Sequence, residues 1–378
     1  MSKYLNVFNT LAEYQAFSAS TEYVQPNVAL VKETNVLYYD YGDNKPQADM
    51  SDFKVESQET SAGGDKYGKS AITKINYIPS GITSLIDAFN FFYSLEEVTC
   101  KIPDSVIHMK STFYNCSSLV NAPDIPSGVK SMESTFRGCE SLVNAPVIPS
   151  SVTGMNSTFD GCASLVNAPV IPNSVTSMEY TFYGCRSLVD APEIPNSVTN
   201  MKSTFSNCRS LVNAPDIPSS VTNIDYTFNG CTSLVNAPEI PSGVKRMWST
   251  FNNCSSLITA PNIPSSVTSM EYTFYGCTSL VNAPDIPSSV TNIDYTFNGC
   301  TSLVTAPEIP NSVTNMTQAF FNCSSLKELT LLPTTPPTYN STLYSCPIET
   351  IYVPDEAVDA YKTATGWSEF ADKFKPLS

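Results

Sequence analysis

The stretch SLVNAPDIPSSVTNIDYTFNGCTSLV, residues 210–235, returns unchanged at 279–304. The offset of 69 residues is three times 23, and cysteines stand at that 23-residue interval from Cys116 through Cys139, Cys162 and onward to Cys346. A fixed period of this length reads as a solenoid, in which each coil buries its apolar face against the next. The 378 residues therefore count coils rather than globular domains.

Composition narrows the function classes. With 35 Asp and Glu against 20 Lys and Arg, the formal charge is −15, so the basic stripe that neutralises phosphates is missing and nucleic acid is excluded as a partner. No apolar run approaches the 18 or so residues of a membrane span, and the opening MSKYLNVFNTLAEYQAF lacks the unbroken apolar core of a secretory signal. Folding in a cytoplasm is the expectation.

Four segments are expected. Residues 1–40 form an N-terminal anchoring module, with a short helix in LNVFNTLAEYQAF and a hairpin of NVALV (27–31) and NVLYYD (35–40). Residues 41–74, polar and rich in Gly, Ser and Asp, read as a linker or irregular segment. The array runs over 75–332, starting with a degenerate coil that has Phe92 in the cysteine position. Residues 333–378 form a C-terminal cap, a strand followed by a helix near Asp355 and a second helical stretch around Trp367–Phe374, because an end coil exposes apolar surface that inner coils bury.

One coil is CSSLVNAPDIPSGVKSMESTFRG, residues 116–138. Met132, Phe136 and Cys139 recur at i, i+4 and i+7, which predicts a turn or two of helix with that face inward. Position 138 and its equivalents hold only Gly or Asn, the residues that accept a left-handed backbone most cheaply. The β-branched run SGVKSM, elsewhere SSVTSM or NSVTNM, predicts a strand ladder between coils. The two prolines of SLVNAPDIP limit pairing on that side to two or three residues. Phe136, Phe159, Phe182, Phe205 and Phe228, with Cys139, Cys162, Cys185, Cys208 and Cys231, are the expected core.

The pattern CxSLxxAPxIPxSVTxMxxTFxx resembles the 23-residue leucine-rich repeat of the BspA or Treponema type. It differs by one added residue before Ile125 and by lacking a Gly after the Met132 position. The tail IYVPDEAVDAYKTATGWSEFADKF is similar to the closing segment of such bacterial arrays, and FNTLAEYQAF…PNVALVKETNVLYYD to leader modules of virion proteins from phages of gut Bacteroidetes. The fold that this implies is a right-handed α/β leucine-rich-repeat solenoid of short strands and short helical turns, with a small N-terminal module and a C-terminal cap. Such repeats occur in bacterial and protist surface proteins and in some virions.

Chemistry that needs asymmetry has little to build on. One Cys per coil and a lone His108 do not supply the paired ligands of a zinc site or a nucleophile with its base, so no metal, cofactor or enzymatic activity is expected. Stacked cysteines lie within disulfide reach, yet their apolar setting and a reducing site of folding favour buried free thiols. Two surface columns are the candidate binding residues. One is acidic, Asp216, Glu239, Asp285 and Glu308 with Asp124 and Glu193, interrupted by Val147 and Val170. The other is aromatic, Tyr180, Tyr226, Tyr272 and Tyr295, flanked by Tyr183, Trp248 and Tyr275, residue types that meet sugar faces and protein hot spots.

The expected function is a non-enzymatic virion protein, a fibre or decoration element made in the host cytoplasm, whose repeats recognise a bacterial surface. A bacterial cell-surface adhesin or interaction scaffold and a purely architectural virion component are the alternatives. Expected partners are other virion proteins through residues 1–70, a bacterial surface glycan or protein, and further copies of the chain.

Overall fold

A computed structural model describes residues 72–377, apart from Pro79, with their side chains, and four earlier strands by their backbone. By its contacts the chain divides into two compact units, 1–175 and 176–378.

The first unit opens with a six-stranded sheet in sequence order, β1 (Leu5–Phe8), β2 (Asn27–Val31), β3 (Val36–Asp40), β4 (Phe53–Ser57), β5 (Ile72–Ile75) and β6 (Glu97–Val98). The β2–β3 pair is antiparallel, as the two β-rich runs predict. Leu5–Phe8 departs from the expected helix: it is a strand, parallel to β2, consistent with its alternating LNVF. The remainder of that expected helix lies outside the described residues. The presumed linker also contains strands, since β4 pairs with both β3 and β5, and β5 pairs in parallel with β6 in the first coil.

The coils differ from expectation in how their backbone is held. No helix carries Met132, Phe136 and Cys139. Alternate N–H groups point along the stack instead: Met132, Ser134, Phe136 and Gly138 donate to the carbonyls of Gly154, Asn156, Thr158 and Asp160 in the next coil, at 2.6–3.0 Å. The N–H groups between them close tight turns within the coil, Thr135 to Met132, Arg137 to Ser134 and Cys139 to Phe136. The same alternation in the second unit runs from Met201, Ser203, Phe205 and Asn207 to Asn223, Asp225, Thr227 and Asn229.

A left-handed backbone twice per coil produces this zigzag. Ser134 has φ 54° and Gly138 φ 74°; Ser203 has φ 54° and Asn207 φ 61°. One such residue in mid-segment breaks the run of right-handed dihedrals that an i→i−4 ladder needs. The expected strand ladder contracts for the same reason. It survives as one parallel bridge per coil at the Ser131 position, His108 to Ser131 to Gly154 in the first unit and Arg246 to Ser269 to Asn292 to Asn315 in the second. The proline side likewise pairs at one residue, Asn121 to Asn144 to Asn167, rather than two or three.

The interior is a set of single-residue columns. Phe136, Phe159, Phe182, Phe205 and Phe228, and Cys139, Cys162, Cys185, Cys208 and Cys231, have no exposed surface. Successive rings stack nearly parallel within each unit, Phe113 on Phe136 at 5.5 Å and 7°, Phe182 on Phe205 at 5.7 Å and 2°. Buried threonines tie the coils: Thr158 Oγ1 donates to Met155 O at 2.7 Å and to Met132 O of the preceding coil at 2.9 Å. The cysteines do the same with a weak donor, Cys139 Sγ to Phe113 O at 3.2 Å and Cys231 Sγ to Phe205 O at 3.0 Å. All are free thiols, and burial raises the pKa of Cys139, Cys162, Cys208 and Cys231, and that of Cys300 to about 12.

The chain closes with a three-stranded parallel sheet of β7 (Glu328–Thr330), β8 (Thr350–Val353) and β9 (Phe374–Pro376). Between β8 and β9 lie 3₁₀ turns at Asp355–Ala357 and Trp367–Phe370 around a short helix α1 (Val358–Thr363), close to the expected positions. Buried Tyr361 and Trp367 donate to Pro333 O at 2.9 Å and Pro337 O at 2.8 Å.

Glycine and asparagine are not equivalent at the left-handed C-terminal position. A Cβ on Gly138 would lie 2.0 Å from Asn115 Oδ1, because that side chain covers the next coil, whereas on Gly161 it would meet nothing closer than Gly138 Cα at 3.5 Å.

Replacing Phe205 by Ala is expected to cost ~3–5 kcal/mol; an unchanged melting curve would place the ring outside the core. Gly161→Ala should cost ~1–2 kcal/mol from φ alone, and Gly138→Ala clearly more, with the excess removed by Asn115→Gly; equal losses would show that the asparagine yields. Alkylation of the native protein followed by mass spectrometry should modify Cys346 first. That thiol is half-exposed and its pKa is lowered by a hydrogen bond from Cys323, whereas half-exposed Cys100 is raised by burial. Labelling of the inner cysteines at the rate of Cys346 would contradict the buried column.

A candidate recognition surface

Among the described residues, no group of three or more His, Cys, Asp or Glu side chains could hold a metal ion. An open cleft of about 420 Å³ near Asn311, Thr314, Pro333 and Thr338 is lined by no titratable group.

The acidic column stands on the proline side. Glu193, Asp216, Glu239, Asp285 and Glu308 are all exposed in the second unit, and Asp124 is exposed in the first beside Val147 and Val170 at 87% and 86%. Among the described residues, no hydrogen bond or ion pair joins this column to the aromatic one, so the structure does not bring the two together.

The aromatic column falls entirely within the second unit. Tyr180, Tyr226, Tyr272 and Tyr295 occupy the first left-handed position of their coils, at φ 55–58°, where other coils carry Ser, Gln or, in the first coil, Asp87. A bulky residue is a true outlier there. Holding it costs roughly 1–3 kcal/mol, and the turn ladder on either side fixes it. Tyr180 meets Tyr183 at 5.9 Å, Tyr226 meets Trp248 at 5.6 Å, and Tyr272 meets Tyr275 at 6.1 Å. Tyr272 and Tyr295, one coil apart, stack at 4.5 Å and 4°. Burial and the adjacent Tyr295 hydroxyl raise the Tyr272 phenol above its ordinary pKa.

Sequence reasoning missed the carboxylates that accompany these rings. Glu179, Asp225, Glu271 and Asp294 each immediately precede a column tyrosine. The recurrent acid–tyrosine dipeptide is the sequence signal that marks them. Asp225 is buried and accepts from Arg246 Nε at 3.0 Å and from the Trp248 N–H at 3.2 Å. Arg246 lies over the Trp248 ring at 5.5 Å, its pKa raised by Asp225. Lys202 lies over Tyr180 at 5.5 Å and pairs with Glu179 at 3.0 Å, which raises the ammonium pKa.

The chain resembles solved bacterial repeat proteins. A leucine-rich repeat protein from Bacteroides ovatus is 24% identical, with 95% of this chain and 100% of that one covered and a TM-score of 0.51. A leucine-rich cell surface protein from Faecalibacterium prausnitzii is 25% identical over 78% of this chain and 93% of that one, also with a TM-score of 0.51. Among proteins with curated descriptions, none matches in sequence. The model of the BspA type leucine rich repeat region matches in six copies, over 60–189, 155–272 and 248–364. This family is one of binding scaffolds, and no enzyme family is indicated. The stacked coils and the repeat match agree: the chain belongs to the BspA-type leucine-rich repeat family.

Proposed function

We propose that the protein is a non-enzymatic adhesion element, carried on a virion as a fibre or decoration and recognising a bacterial surface through the aromatic column of its second unit. The observation that supports recognition is the contrast between columns. The interior phenylalanine column keeps one residue type from Phe113 to Phe320, whereas the strained left-handed position switches between Ser, Gln, Tyr and, in the first coil, Asp. A scaffold needs only the interior; tyrosines placed at a conformational cost serve something outside it.

The virion setting rests on the resemblance of the N-terminal PNVALVKETNVLYYD region to phage leader modules, and residues 1–70 are the proposed attachment to other virion proteins. A bacterial cell-surface adhesin is the second reading, favoured by the similarity to the Faecalibacterium cell surface protein. In both, the partner is a surface protein or glycan.

Fluorescently labelled full-length protein should bind cells of the target bacterium saturably, and Tyr226→Ser/Tyr272→Ser/Tyr295→Ser should weaken that binding about tenfold or more without lowering the melting temperature. Binding unaffected by the three changes would remove the aromatic column from recognition. Immunogold labelling then separates the carriers: gold on purified phage particles supports the virion, and gold confined to the bacterial envelope overturns it.

A further inference from the structure

Among the described residues, three cations of the chain itself sit between an aromatic face and a carboxylate. Arg137 lies 5.6 Å over Tyr114 with Nε 3.0 Å from Asp160. Lys202 does so between Tyr180 and Glu179, and Arg246 between Trp248 and Asp225, with the geometry given above. A further set of the same parts, among the described residues, makes no ion pair or cation–aromatic contact. Tyr272 and Tyr295 form the tightest aromatic stack of the column, flanked by Glu271 and Asp294. The residues one and two coils beyond Glu271, where Lys202 stands one coil beyond Glu179, are Asp294 and Thr317.

Charge along the chain agrees. Between Arg246 and Lys327 there is no Lys or Arg, while Glu271, Asp285, Asp294 and Glu308 all fall in that interval. Arg246 is attracted to Glu271 as well, but its guanidinium is held by Asp225 and the Trp248 ring. Both free carboxylates are oriented from within. Glu271 Oε1 accepts from Asn292 Nδ2 at 3.0 Å and Ser269 Oγ at 3.2 Å, and Asp294 Oδ1 accepts from the Thr317 N–H at 2.7 Å. Among the described residues, no hydrogen bond or ion pair engages their second oxygens. Two like charges on adjacent coils repel until a cation sits between them.

We infer that Tyr272, Tyr295, Glu271 and Asp294 form an open receptor for an arginine or lysine side chain presented by a basic protein partner. The inference rests on the proposed reading of this column as the recognition face and names the chemistry that face takes. A guanidinium suits it best, since it stacks on an aromatic face while donating to a carboxylate in the same plane. A divalent metal ion suits it poorly, because it needs about six or more oxygens.

The test uses the full-length protein at low salt with a fluorescein-labelled Gly-Ser-Arg-Ser-Arg-Ser-Gly peptide and its citrulline counterpart, read by anisotropy. The arginine peptide should bind saturably and the citrulline peptide about tenfold more weakly or worse. Tyr272→Ser/Tyr295→Ser and Glu271→Gln/Asp294→Asn should each reduce arginine-peptide affinity by a similar factor. Serine already occupies the tyrosine position in other coils, at Ser134 and Ser203 for example, and an unchanged melting curve checks the fold. Glu356→Gln/Asp359→Asn removes the same charge from the C-terminal segment and should leave binding intact. Absence of saturable binding, equal binding of citrulline, indifference to the tyrosine changes, or an equal loss in the C-terminal control would each overturn the receptor. A protein that binds bacterial cells but not the arginine peptide would overturn this inference alone and leave adhesion standing.

Discussion

The structure depends on where alternate backbone N–H groups point. In the coil that begins at Cys116 four of them, at Met132, Ser134, Phe136 and Gly138, reach the carbonyls of the next coil, while those between close turns within their own. This arrangement satisfies polar backbone on both the axial and the local side, which buried peptide groups require. It also sets the side chains, because positions 132, 136 and 139 turn inward together while position 134 stays half-buried at the surface. The phenylalanine stack, the threonine ties and the outward tyrosines all follow from that zigzag.

Much of this was legible in the sequence, and the remainder was not for identifiable reasons. The 23-residue period, the interior columns and the left-handed Gly/Asn position could be read directly, because each reflects a constraint repeated in every coil. The i, i+4, i+7 spacing of Met132, Phe136 and Cys139 identified residues that share an interior, but it was silent on whether their amides bond within the coil or to the next. A serine at φ 54° carries no compositional mark, so the feature that excludes a helix was invisible. Leu5–Phe8 and Phe53–Ser57 were missed because short strands amid polar residues acquire their pairing from distant partners.

The candidate surface was half legible. Aromatic residues in register were evident from the period alone, whereas their conformational cost and their cations were not. Lys202 and Arg246 appear in sequence as scattered basic residues; only in three dimensions do they lie over rings and against carboxylates one coil away. The acidic residues of the proline side are the more regular in sequence, yet the carboxylates that pair with ring-bound cations are the less regular ones beside the tyrosines.

The asparagine that covers the following coil imposes an order on inheritance. Asn115, Asn207 and Asn253 are each followed one coil later by a glycine, Gly138, Gly230 and Gly276, over which their amides lie. A coil ending in glycine can be copied next to itself by a replication error without steric penalty, whereas an asparagine coil copied in tandem would set one amide over another. Array growth in this lineage therefore obeys a grammar. Copies that carry a glycine coil along with each asparagine coil keep every amide over a glycine, whereas an asparagine coil copied alone must move one amide aside.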